Sequence, residues 1–76
     1  LEYGQNNLSI QKKSIEKFNS YVIVDDLLAT GGTVNCVYEI LKSQNKQVKG
    51  LSVVAEIETL DARSKLPFNI SSQIKI

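Results

Sequence analysis

The most regular hydrophobic pattern in the chain is Tyr21, Val22, Ile23 and Val24, an unbroken aromatic and β-branched run. Such a run predicts a strand buried on both faces of a parallel sheet. It stops at the acidic pair Asp25 and Asp26, and Gly31 and Gly32 predict a loop over residues 27–33. From Thr33 the period turns helical: Val34, Val37, Tyr38 and Leu41 fall at i, i+3, i+4 and i+7. That stripe fades over residues 43–45. Residues 47–57 predict a second strand, with Leu51, Val53, Val54, Ala55 and Ile57 as its apolar centre. Residues 59–66 suit one or two helical turns with Leu60 and Leu66 inward, ended by Pro67. Residues 70–76 alternate like an edge strand. Upstream, Leu8, Ile10 and Gln11 predict a short strand, followed by a solvated connection carrying Lys12, Lys13 and Lys17. Strand, loop, helix and strand in this order form a βαβ unit, for which a right-handed crossover is expected. The fold class is therefore α/β with a mostly parallel sheet.

Length and composition narrow this picture. Seventy-six residues make one small domain at most, which buries about 60% of its unfolded surface and gains about 3–5 kcal/mol from its core. Cys36 is the single cysteine and there is no histidine, so neither an internal disulfide nor a His/Cys metal cluster can form. Cys36 itself lies in no nucleophile motif and suits a small packing residue on the helix. The net charge of +1 gives no ground for nucleic acid as a partner. No apolar run approaches the ~20 residues that span a bilayer, so no membrane partner is expected. The first residues, Leu1-Glu-Tyr-Gly4, lack the basic start and apolar stretch of a signal peptide. The missing initiator Met fits a chain cut from something longer. Arg63 and Lys65 read as surface charges.

The chemistry concentrates where the first strand meets the helix. In doubly wound sheets, ligands bind beyond the carboxyl ends of the strands. Gly31 and Gly32 let the backbone bring its N–H groups close to a ligand, and Thr30 and Thr33 add hydroxyls. Successive N–H groups and the positive end of a helix make an anion site. Each hydrogen bond to a charged phosphate oxygen contributes about 1.5–3 kcal/mol, so several hold a phosphate without a lysine. The Gly-Lys-Ser/Thr of nucleotide P-loops and the glycine spacing of dinucleotide folds are both absent. An isolated Asp-Asp pair is ordinarily a turn cap beside a solvated charge. Next to an anion site, vicinal sugar hydroxyls or metal-held water suit it better, which points to a sugar phosphate.

Val22-Ile-Val-Asp-Asp-Leu-Leu-Ala-Thr-Gly-Gly-Thr33 resembles the phosphoribosyl pyrophosphate motif of type I phosphoribosyltransferases, in the form carried by adenine phosphoribosyltransferases. Leu1-Glu-Tyr-Gly4 resembles that family's flexible-loop motif, and Leu8-Ser-Ile-Gln-Lys-Lys13 continues the likeness. The resemblance implies transfer of phosphoribosyl from phosphoribosyl pyrophosphate to adenine, giving AMP and pyrophosphate with Mg2+ present, in cytoplasmic purine salvage by a homodimer. It assigns Asp25 and Asp26 to the ribose hydroxyls, directly or through metal-bound water, with no direct metal ligand. Ala29, Thr30, Gly31, Gly32 and Thr33 take the 5′-phosphate, Glu2 the acid/base position near purine N7, Tyr3 loop closure, and Ile57 the stack on adenine. Residues 1–20 then correspond to the end of the flexible loop and a short strand, and residues 21–76 to the C-terminal part of the core. The N-terminal half of the domain, with its hood and pyrophosphate loop, is absent, so the 76 residues alone are expected to be inactive. Two alternatives stand beside this expectation: a non-catalytic regulator that binds phosphoribosyl pyrophosphate, and a transferase for another base such as xanthine.

Overall fold

The computed structural model describes residues 10–76. A single helical turn α1 (Lys12–Ile15) leads to β1 (Ser20–Leu28), α2 (Gly32–Ser43) and β2 (Gln47–Glu56). Two 3-10 turns (Glu58–Leu60 and Ala62–Lys65) then precede β3 (Asn69–Lys75). The sheet runs β1-β2-β3 with both pairings parallel, as the βαβ pattern predicts. Parallel neighbours deliver their carboxyl ends to one side, and that side carries the acidic pair and the glycine loop.

The helix forms because its apolar stripe has somewhere to go. Val34, Val37 and Leu41 are buried against Ile23, Leu51 and Val53 of the sheet, with Ile15, Leu28, Ala62 and Leu66 closing the core. Tyr38 is half-buried and its ring sits 5.4 Å from that of Phe68. At the helix C-terminus Asn45 takes a left-handed conformation (φ 61°). The N–H of Lys46 donates to the carbonyl of Leu41 and that of Asn45 to Lys42. This reverse turn satisfies the last carbonyls and aims the chain into β2.

Four expectations are corrected. First, β1 is buried on one face only: Ile23 is buried, while Val22 and Val24 are 59% and 76% exposed. Val54, on the same face of the neighbouring strand, is 53% exposed. A continuous apolar run thus lies in a sheet whose described residues place their helix α2 on the other face. Second, β1 does not stop at the aspartates. Pairing of Asp25 with Val53, Leu27 with Ala55 and Leu28 with Glu56 continues the ladder, because β-pairing is a backbone property and tolerates carboxylates pointing out of the sheet. The loop shrinks to residues 29–31.

Third, Ile10 and Gln11 lie in no strand and Lys12–Ile15 is helical, while Leu8 lies outside the described residues. Ile10 packs on the core as a partly buried side chain, so apolar alternation there reflects packing without sheet pairing. The three lysines of this stretch are exposed, as expected. Fourth, Leu60 is 39% exposed. Asp61 adopts a left-handed conformation (φ 52°) between the two 3-10 turns. That reversal breaks the helical period, so Ala62 takes the buried place beside Leu66.

Candidate functional site

The carboxyl end of β1, the three-residue loop and the start of α2 enclose a cavity of about 240 Å3 lined by residues 25–34. Asp25, Asp26, Ala29, Thr30, Gly31, Gly32 and Thr33 therefore share one wall. Leu28 fixes the base of the loop, being 1% exposed in the core. Asp25 is half-buried, and its Oδ1 accepts the N–H of Asp26 at 2.8 Å. That bond orients one carboxylate while leaving Asp26 exposed at the rim.

The loop turns on Gly31, which is buried with φ 86°. A Cβ there would stand 3.2 Å from the Cβ of Ala62 and 3.6 Å from Leu66 Cδ1. Both backbone conformation and space thus call for glycine. The Gly31 carbonyl accepts the N–H of Asn35 at 2.8 Å, which starts the helix. The opening N–H groups of a helix have no partner within it. At α2 the Gly32 N–H meets Thr30 Oγ1 at 3.3 Å, a long bond in an exposed position. Among the described residues, no Lys or Arg lines this cavity. Its anion affinity would come from N–H dipoles and hydroxyls, with the two carboxylates set to one side, an arrangement matched to a molecule that is anionic at one end and hydroxylated nearby.

Ile57 stands apart from this wall. It follows β2 as a half-buried residue whose N–H donates to the Leu28 carbonyl at 2.9 Å. It shares the carboxyl end of the sheet but does not line the cavity. Glu2 and Tyr3 lie outside the described residues.

One constellation was not visible in the sequence. Arg63 lies at the surface, as expected, with its side chain 40% exposed, but it is not a free charge: its Nε donates to both carboxylate oxygens of Glu56 at 3.1 and 2.9 Å. Its Nη1 reaches the Ile70 carbonyl at 2.9 Å and its Nη2 the Ser72 hydroxyl at 3.4 Å. Ser72 in turn donates to Glu56 Oε1 at 2.7 Å. Glu56 is only 3% exposed, so the guanidinium and hydroxyl supply the partners that burial would otherwise deny it. The one available signal was a glutamate closing an apolar strand, where an unpaired charge is costly.

The Arg63 hydrogen bonds, and after them the Ser72 bond, hold the Glu56 carboxyl below the usual glutamate range. A carboxyl lowered in the folded state stabilises fully above its unfolded pKa, about 4.3. That contribution is lost as pH falls through the lower folded value. Denaturant titrations of the complete domain across pH 2–6 should therefore show an acid loss of stability, and Glu56→Gln should reduce its slope.

The family model of the phosphoribosyl transferase domain matches residues 2–76. An adenine phosphoribosyltransferase of Prochlorococcus marinus (strain MIT 9211) is 65% identical over 74 residues, covering 97% of this chain and 43% of that protein. One from Methanococcus vannielii is 45% identical over 76 residues, covering 99% of this chain and 44% of that protein. The chain thus spans less than half the length of the curated relatives it matches. Among solved structures, the adenine phosphoribosyltransferase of Thermoanaerobacter pseudethanolicus superposes with a TM-score of 0.72 at 41% identity, over 75% of this chain and 34% of that one.

Proposed function

We propose, from the premise that this chain belongs to the phosphoribosyl transferase domain family, that it supplies the sugar-phosphate site of an adenine phosphoribosyltransferase. The reaction forms a bond from adenine N9 to ribose C1′ as the bond from C1′ to pyrophosphate breaks and the base loses a proton, giving AMP and pyrophosphate. The observation that carries this reading is the single wall in which an acidic pair adjoins a lysine-free anion loop, in a chain 65% identical to an enzyme of that name.

Each group has a task in this chemistry. Gly31, Gly32 and Thr33, with Ala29 and Thr30, hold the 5′-phosphate through N–H groups and hydroxyls. Asp25 and Asp26 hold the ribose hydroxyls and stabilise the positive charge that develops on the sugar as pyrophosphate departs. Glu2 serves as acid/base group near purine N7 and Tyr3 in closure over the site, which keeps water from the activated sugar. Ile57 stacks on the adenine. Among the described residues no three acidic, His or Cys side chains gather to hold a metal ion. Asp25 and Asp26 would hold a Mg2+ through its water, as oxygen donors suited to that ion. When bound, that ion neutralises charge on the pyrophosphate. The complete enzyme works as a cytoplasmic homodimer in purine salvage.

The complete domain can be assembled by joining this chain to the N-terminal part of the 65% identical relative. Incubated with phosphoribosyl pyrophosphate and each purine base in turn, it should form AMP and no comparable product from xanthine, guanine or hypoxanthine. Binding of phosphoribosyl pyrophosphate without product from any base would favour a regulator. Preference for xanthine would move the substrate.

A further inference from the structure

The glycine loop does not stand alone. Gly31 rests directly on Ala62, with 3.2 Å between a built Cβ and the Ala62 Cβ, and Ala62 is 1% exposed. Ala62 belongs to a four-residue 3-10 turn. So short a turn makes few hydrogen bonds of its own and lies next to the left-handed Asp61. Core packing of Ala62 and Leu66 holds its inner side. The neighbouring residue holds its outer side: Arg63 reaches Glu56 at the end of β2, and both the Ile70 carbonyl and the Ser72 hydroxyl of β3. A planar guanidinium bound on three sides has one position, and a lysine cannot reproduce that fork.

We infer that Arg63 is a positioning residue for phosphate binding: by pinning the turn to β2 and β3 it holds Ala62 as the floor under Gly31, and so sets where the loop N–H groups point. This deepens the sugar-phosphate reading and rests on it. The arrangement divides the work. The strands fix the clamp, the clamp fixes the floor, and the floor fixes the loop. Loss of the clamp leaves the N–H donors in the chain but lets them drift, and hydrogen bonds weaken steeply with misalignment. The effect is therefore specific to the ligand's phosphate end.

The test uses the complete domain with three variants: Arg63→Ala, Arg63→Lys and Ala62→Gly. Ribose 5-phosphate and adenine are titrated separately by calorimetry, and 15N shifts of Gly31, Gly32 and Thr33 are followed. Arg63→Ala and Ala62→Gly should weaken ribose 5-phosphate about tenfold, the change expected from one lost or bent hydrogen bond to phosphate. In Ala62→Gly, which leaves Glu56 and Ile57 untouched, adenine affinity should stay within about twofold, a split that general loosening of the fold would not give. Arg63→Lys should fall between native and Arg63→Ala. Where Arg63→Ala unfolds, Ala62→Gly carries the test, since it removes the floor and leaves the clamp. Unchanged ribose 5-phosphate affinity in folded Ala62→Gly and Arg63→Lys, or equal losses for both ligands in Ala62→Gly, would overturn the proposal alone. A native domain that binds no ribose 5-phosphate would overturn the sugar-phosphate reading and this proposal with it.

Discussion

Gly31→Val is expected to lower kcat/KM for phosphoribosyl pyrophosphate by at least about a hundredfold, because two independent penalties meet at one atom. A β-branched residue held at φ 86° carries roughly 1–3 kcal/mol of backbone strain. Its side chain must also displace Ala62 from 3.2 Å, an overpacking that costs about 1–3 kcal/mol. The chain relieves both by moving the loop, which is the proposed phosphate site. Gly32→Ala is the informative contrast. Gly32 has no positive φ, and a Cβ there meets only Thr30 Oγ1 at an ordinary 3.5 Å. Denaturant unfolding of the two variants in the complete domain should show a loss of about 2 kcal/mol or more for Gly31→Val. For Gly32→Ala the change should stay within about 0.5 kcal/mol. Equal stability and activity in both would remove the geometric argument for this loop.

Asp25→Asn combined with Asp26→Asn should act differently, on rate more than on stability. Both side chains stand at the cavity rim, half-buried and exposed respectively, and their replacement keeps shape while removing charge. If they face positive charge that develops only as pyrophosphate leaves, kcat falls with little change in KM. Removing one such preorganised group typically costs about 10²–10³ in kcat, and the double variant should lose at least that much. Steady-state kinetics with both substrates varied is the measurement. A raised KM at constant kcat would mean that the pair binds the ribose equally before and during reaction, and does not serve the transition state.

How much of this was visible in the sequence depends on the range of the interaction. α2 was legible because Val34, Val37 and Leu41 report one neighbour, the sheet, at a fixed period. β1 was legible as a strand from its unbroken apolar run, and the acidic pair beside two glycines marked residues that the structure gathers along one cavity. The strand's true end was not, since Asp25 to Leu28 pair through backbone atoms that every residue type provides. Ile57 shows a second limit. Its place at the carboxyl end of the sheet follows from its strand, but nothing in an apolar side chain says whether it meets a ligand or a neighbour. The Glu56 and Arg63 pair shows a third. The first 3-10 turn lies between them and Arg63 sits inside the second, with no periodicity to link the pair, and the reversal at Asp61 comes between the two turns. The exposure of Val22 and Val24 could not be read either, because a run of apolar residues states what a strand avoids and not what covers it.

Strand order in this sheet equals chain order, β1-β2-β3. Each pairing therefore joins strands that are consecutive in the chain, one crossover at a time. The first closure, β1 to β2 across α2, already contains residues 25–34 complete. A phosphate bound there as proposed would bridge the end of β1 and the start of α2, two elements that the chain otherwise joins only through the three loop residues 29–31. Sugar phosphate at a hundred times its Kd would then add about 2.7 kcal/mol to the stability of the complete domain.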